Sequence, residues 1–96
     1  MKPGLHNVVR SGIASTYGPG YSERWVALPE GPGWRFIVCG AGGCRTLVST
    51  DAGPDRAMQR AGRIVDLPVG AFEDVCGVEW RRGLCQVTLA IVGRVK

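Results

Sequence analysis

Glycine and proline punctuate this chain from end to end, and that limits its possible folds more than any other feature. Fifteen glycines and six prolines fall among 96 residues, and both residue types interrupt long helices. A helical bundle is excluded, and a loop-rich β fold is indicated. Hydrophobic residues make up 45% of the chain, too many for a disordered segment. The length suits one domain, which can bury only about two thirds of the surface its unfolded chain exposes. A domain so small benefits from covalent staples.

Four cysteines are available for them, Cys39, Cys44, Cys76 and Cys85, and the intervening residues favour the local pairing, Cys39–Cys44 with Cys76–Cys85. Gly40-Ala41-Gly42-Gly43 is a natural hairpin tip. Residues opposite one another on antiparallel strands have Cα atoms about 4.5 to 5.5 Å apart, within disulfide reach. The second pair encloses a loop that runs from Gly77 to Leu84 and is bounded by glycines. Loops this short stabilise by roughly 2 to 3 kcal/mol each on the chain-entropy model, and such bonds imply an oxidising compartment or an exported particle. A four-cysteine zinc site and four buried thiols compete with this pairing. Neither spacing shows the Cys-x-x-Cys usual in zinc sites. His6 reads as a surface residue, and no metal or other cofactor is expected.

The formal charge of +4 is spread evenly, four basic against two acidic residues up to Cys44 and eight against six beyond it. Nucleic-acid binding requires a concentrated basic face with stacking aromatics, so it is not expected. A mildly basic protein would still drift toward an anionic wall or glycan. Gly4, His6, Asn7 and Arg10 interrupt every apolar run of a signal peptide in the first fifteen residues, and no segment reaches membrane-spanning length. With oxidised cysteines, the expectation is a mature form lacking its leader or a protein that leaves its cell by lysis.

Residues 1–11 read as an N-terminal arm carrying a lead-in strand, Leu5 to Arg10, and residues 12–96 as one domain. Trp34 to Cys39 and Cys44 to Thr50 form the clearest hairpin, with Trp34 on the core side. Asp51 to Gly62 is a polar loop with a helical turn around Arg56 to Arg60. Arg63 to Leu67 is a short strand, Pro68 to Cys76 a helix ending at Gly77 with Phe72 in the core, and Cys85 to Val92 a β-prone final strand. No repeat, linker or low-complexity tract interrupts this order.

Two segments a dozen residues apart set a carboxylate beside a change of chain direction. Gly53 and Pro54 turn the backbone after Asp51, while Asp66 closes a short apolar strand ahead of Pro68. The order Asp51-Ala52-Gly53-Pro54, then Arg63-Ile64-Val65-Asp66-Leu67, then Ala71-Phe72, resembles rare lipoprotein A-like double-psi β-barrels. The Asp66-to-Phe72 spacing is similar to the Asp-Leu-Ser-x-x-Ala-Phe stretch of expansins. Gly12-Ile13-Ala14-Ser15-Thr16-Tyr17-Gly18 resembles the opening of the same group, and Ala27-Leu28-Pro29 its Leu-Pro segment. The resemblance implies a mainly β fold, a small six-stranded double-psi β-barrel with one short helix, stapled by disulfides.

It also implies a glycan partner, cell-wall polysaccharide or peptidoglycan. In glycan-cleaving relatives paired carboxylates divide acid and base work, and Asp51 and Asp66 are the catalytic candidates here. Their structural alternatives are a turn brace for Asp51 and a helix N-terminal charge for Asp66. Sugar rings present flat apolar faces that stack on aromatic side chains. Tyr17, Tyr21, Trp25 and Trp80 supply those, with Arg63 of the Arg-Ile-Val-Asp-Leu stretch as a polar contact. The departures from the pattern count against cleavage. Lytic relatives carry an upstream Gly-Glu-aromatic-Asp stretch and a histidine three residues before Leu-Pro. Trp25 stands at the histidine's place, and Tyr21-Ser22-Glu23-Arg24 supplies no matching aspartate, although Glu23 is a possible substitute. The leading expectation is therefore an extracytoplasmic glycan-binding barrel with weak or no hydrolytic activity. The alternatives are a structural component of an exported assembly, such as a phage tail or capsid protein touching other subunits, and a peptidoglycan-cleaving enzyme that pairs Asp51 with Glu23 or Asp66.

Overall fold

The computed structural model describes residues 8–95. Strands β1 (Val8–Thr16), β2 (Ala27–Leu28), β3 (Trp34–Gly40), β4 (Gly43–Val48) and β5 (Asp51–Ala52) precede a one-turn helix, α1 (Arg56–Arg60). Strand β6 (Arg63–Leu67), helix α2 (Val69–Cys76) and the long strand β7 (Leu84–Arg94) follow, with a short 3-10 turn at Trp80–Arg82. All seven strands belong to one sheet in the order β4-β3-β7-β1-β6-β2-β5. The fold is mainly β with one full helix, and its strand count exceeds the expected six through the two-residue pieces β2 and β5.

Local chemistry sets the hairpin and the helix. Along β3 the alternation of Trp34 to Cys39 buries Phe36 and Val38 and exposes Arg35 and Ile37, the period of a strand with one face on the core. Cys39 and Cys44 are register partners across the tip and form one disulfide, and Cys76–Cys85 forms the other. The tip rests on the end of α2. The Gly42 amide donates to the Val75 carbonyl at 2.8 Å, and a Cβ on Gly42 would stand 2.5 Å from the Asp74 carbonyl oxygen and the Gly77 nitrogen. Pro68 occupies the N-cap of α2, one position before the first helical turn, and Gly77 closes the helix at φ 71°, a left-handed conformation natural to glycine.

Ala71, Phe72, Val75 and Cys76 form the buried stripe of α2. They meet Leu28 of β2, Phe36 and Val38 of β3, Val65 and Leu67 of β6, and Val87, Leu89 and Ile91 of β7 in a single cluster. Residues near opposite ends of the strand order share that cluster, so the sheet curls around it. Trp34, expected in the core, is half-buried at its margin and carries Arg94 over its ring at 5.0 Å.

Strand β1 passes straight through the expected boundary between arm and domain. Its Val8-to-Ser15 stretch pairs residue by residue with Ile91-to-Leu84 of β7, so residues 8–11 of the arm are sheet. The rest of the lead-in strand and His6 lie outside the described residues.

Candidate functional site

Four neighbouring strands place Ser15, Asp66, Ala27 and Asp51 in one cross-strand row. Ser15 of β1 is the register partner of Asp66 of β6, Asp66 of Ala27 of β2, and Ala27 of Asp51 of β5. The two aspartates thus stand two strand spacings apart, about 9.5 Å between their Cα atoms. The small side chain between them is buried and gives the next turn of the chain room to pack on it. The Asp-x-Gly-Pro turn, which contains the cis Gly53–Pro54 peptide, folds back over this row. A Cβ on Gly53 would lie 3.4 Å from Ala27 Cβ and 3.6 Å from Asp66 Oδ2.

The two carboxylates have different surroundings. Asp66 is half-buried and accepts a hydrogen bond from the Ser15 hydroxyl. Burial pushes its carboxyl above the ordinary range; the Ser15 bond and the charge of Arg63 counteract this, and Asp51 and Asp55 add to it. Asp51 uses Oδ1 to accept from the Ala52 amide at 2.8 Å and Oδ2 to accept from the Tyr17 hydroxyl at 3.2 Å. The first bond is the expected turn brace, and the second joins Asp51 to the aromatic segment. Burial, followed by the charge and hydrogen bond of Asp51 and the charge of Asp66, raises the Tyr17 phenol well above its usual range. Tyr17 therefore stays a hydrogen-bond donor at any physiological pH.

Tyr17 also centres an aromatic group. Its ring lies 5.6 Å from that of Tyr21 and 6.4 Å from that of Trp25, both tilted, within the range of favourable aromatic pairs. Tyr21 and Trp25 are 59% and 45% exposed, so the group presents large ring faces to solvent beside the carboxylate row. An open hollow bordered by Ser22, Arg24, Trp25 and Thr50 continues it. Trp80 stands apart from these three. It is half-buried against the core, lies near Gly18, and is covered by Arg81 at 5.2 Å.

Glu23 holds the aromatic segment in place. Helix α2 has no acidic residue in its first turn and no capping side chain of its own, because Pro68 occupies the N-cap. Instead both Glu23 carboxylate oxygens accept from the Gly70 amide, at 3.0 and 3.2 Å. The carboxylate at the helix N-terminus is thus Glu23, and the helix-charge alternative for Asp66 gives way to the bond with Ser15.

The structure therefore gathers Tyr17, Tyr21, Trp25, Asp51 and Asp66 on one face, with Arg63 near enough to Asp66 to affect its charge and Trp80 at the margin. Sequence reasoning missed Ser15 and the capping role of Glu23. A proline N-cap with no serine, threonine or acid beside it signals that α2 must draw an acceptor from elsewhere.

These features define a disulfide-stapled, mainly β domain with an open face of aromatic rings and paired carboxylates. The fold is expansin-like. Two crystal structures of Clavibacter michiganensis expansin resemble it, the apo protein and an aspartate-to-asparagine mutant in complex with cellohexaose. Both superpose with a TM-score of 0.65, at 19% and 18% identity respectively, over 88% of this chain. The chain spans 50% of the length of those proteins. It matches no protein-family model and no curated protein.

Proposed function

We propose that this chain is an extracytoplasmic cell-wall polysaccharide-binding domain of double-psi type, with weak or no hydrolytic activity. The observation that carries this reading is the juxtaposition of exposed Tyr21 and Trp25, through Tyr17, with the Asp51–Asp66 row. Sugar rings stack on the aromatic faces, and their hydroxyls donate to the two carboxylates and to the Tyr17 oxygen, whose own proton is given to Asp51. The cellohexaose held by the expansin mutant supports an unbranched glycan chain as ligand, and the rare lipoprotein A-like motif order supports peptidoglycan. Two disulfides in a short chain suit an oxidising, extracytoplasmic location.

Cleavage is the second reading, favoured by one observation. Asp66 has the upward-shifted carboxyl expected of a proton donor. Glu23 is a poor partner for it, since both its oxygens are engaged at Gly70.

Co-sedimentation with peptidoglycan sacculi and with cellulose, combined with assay of soluble sugars, tests both readings. The binder reading expects pelleting without fragments, and Tyr21→Ala with Trp25→Ala to weaken retention about tenfold or more, at about 1 kcal/mol per lost ring contact. Fragments that disappear with Asp51→Asn would establish cleavage, and retention unaffected by the double substitution would refute the aromatic face.

A further inference from the structure

Beyond the aromatic face lies a second polar cleft. We propose that this cleft, about 380 Å³ and lined by Arg10, Pro29, Glu30, Gln59, Arg63 and Ile64, is a saccharide subsite that selects a sugar unit bearing a carboxylate. The proposal rests on the glycan-binding reading above and extends it by naming the chemical class of glycan.

The position of the cleft follows from the strands. Ile64 lies two residues before Asp66 on β6, about 7 Å along the strand, at the point where the β1–β6 register shifts. On the other side, β2 pairs with β6 at Ala27–Asp66, and the turn that follows it, closed by the Gly31 amide on the Leu28 carbonyl, carries Pro29 and Glu30 to the cleft beside Arg63 and Ile64. The cleft is therefore displaced from Asp66 along the strand direction, across the line of the carboxylate row, and a chain that follows β6 past Asp66 enters it.

The charges in the cleft are unevenly satisfied. Arg10 donates through both guanidinium nitrogens to the two oxygens of Glu30, and these bonds hold the Glu30 carboxyl below its ordinary range despite burial. That pair is self-compensated. Arg63 is half-buried and makes no ion pair among the described residues. Its charge acts on Asp66, but no carboxylate among the described residues touches its guanidinium. Asp55, the N-cap of α1, is committed to that helix, where its side chain accepts from the Met58 amide at 2.9 Å. Gln59 is anchored through its Nε2 to the Pro54 carbonyl at 2.7 Å, which leaves its amide oxygen as an acceptor for a sugar hydroxyl. Pro29 and Ile64 supply an apolar wall for the ring. A planar guanidinium with a free fork, one amide acceptor and an apolar wall fit a carboxylated pyranose better than a neutral one.

Two sources share this chemistry, the carboxylate of a uronic acid and the lactyl or peptide carboxylate of a bacterial wall amino sugar. Calorimetric titration of the oxidised protein with cellohexaose, with a hexameric oligogalacturonate and with peptidoglycan oligomers, with and without stem peptide, separates them. An acidic ligand is expected to bind about tenfold or more tighter than cellohexaose, the worth of one charge-assisted contact, and the tighter acid identifies the source. In Arg63→Met the ratio of acidic to neutral affinity is expected to fall close to one. If that variant does not fold, Arg63→Gln and a salt titration replace it, because the preference must weaken as salt rises. Equal affinity of wild type for neutral and acidic ligands, a preference that survives loss of Arg63, or one indifferent to salt would overturn the subsite. Failure of every ligand to bind wild type would overturn the glycan-binding reading itself.

Discussion

Replacing Glu23 with alanine tests whether the aromatic segment is pinned to the sheet through α2. The structure assigns two contributions to this side chain. The Gly70 amide loses its acceptor, and loss of an N-cap acceptor costs about 0.5 to 2 kcal/mol. The favourable charge at the helix N-terminus is also lost, about 0.3 to 1 kcal/mol before solvent screening. Because the contact is exposed, water takes over part of the Gly70 bond, and a net cost of about 1 kcal/mol is expected. For a domain of this size that corresponds to a Tm about 4 to 8 °C lower. Glu23→Gln keeps an acceptor and loses only the charge, so it should fall about 1 to 3 °C, within the helix-charge range. Near-ultraviolet circular dichroism reads Tm, and hydrogen exchange reads the Gly70 amide directly, with faster exchange expected in the alanine variant. Tyr21 and Trp25 flank Glu23 at two residues on either side, so glycan affinity should fall more than the stability loss alone explains. An alanine variant with unchanged Tm, Gly70 protection and affinity would refute the latch.

Asp66→Asn should raise Tm at neutral pH while weakening glycan retention. Burial lifts the folded-state pKa of Asp66 above its unfolded value, so its carboxyl favours the folded state below the unfolded pKa, and that advantage is lost as pH rises through the folded pKa. The gain from asparagine should therefore be largest above that range and vanish in acid, and a pH-independent gain would contradict it. Gly42→Ala forces a Cβ to within 2.5 Å of the α2 backbone. It should cost about 1 to 3 kcal/mol by overpacking, seen in urea unfolding, whereas an unchanged midpoint would show that the tip does not bear on the helix. Phe72 is fully buried in the cluster, and Phe72→Ala should cost about 3 to 5 kcal/mol, close to the whole stability of a small domain. Native-like stability in that variant would place Phe72 outside the core.

Elements whose signals are local were legible in the sequence. The β3–β4 hairpin, β6, the α1 turn and α2 follow from alternation and turn chemistry within a few residues, and the disulfides follow from the hairpin and the glycine-bounded loop. Strands β2 and β5 were not legible, because two residues carry no period. They exist through pairing with each other and with Asp66, from segments tens of residues distant. At the site, Tyr17, Tyr21, Trp25, Asp51 and Asp66 were nominated by residue type and motif, but nothing local shows that Tyr17 bridges the rings to Asp51. Ser15 and the capping role of Glu23, which the sequence offered only as a replacement acid, escaped notice because each meets its partner across the fold, Asp66 in one case and Gly70 in the other.

The carboxylate row behaves as a ruler whose graduations are the backbone hydrogen bonds of the sheet. Substituting Asp51 or Asp66 changes what is offered at a mark, but the interval between marks belongs to the strands and does not follow the side chains. A ligand read at both positions must therefore fit that interval in every variant of this face. Adjustable reach lies in residues 18–25, where Gly18 and Gly20 both adopt positive φ and added length carries little entropic cost. On the proposed glycan-binding function, retuning this domain to a longer or bulkier glycan is a task for that loop, and the ruler decides which glycans are candidates at all.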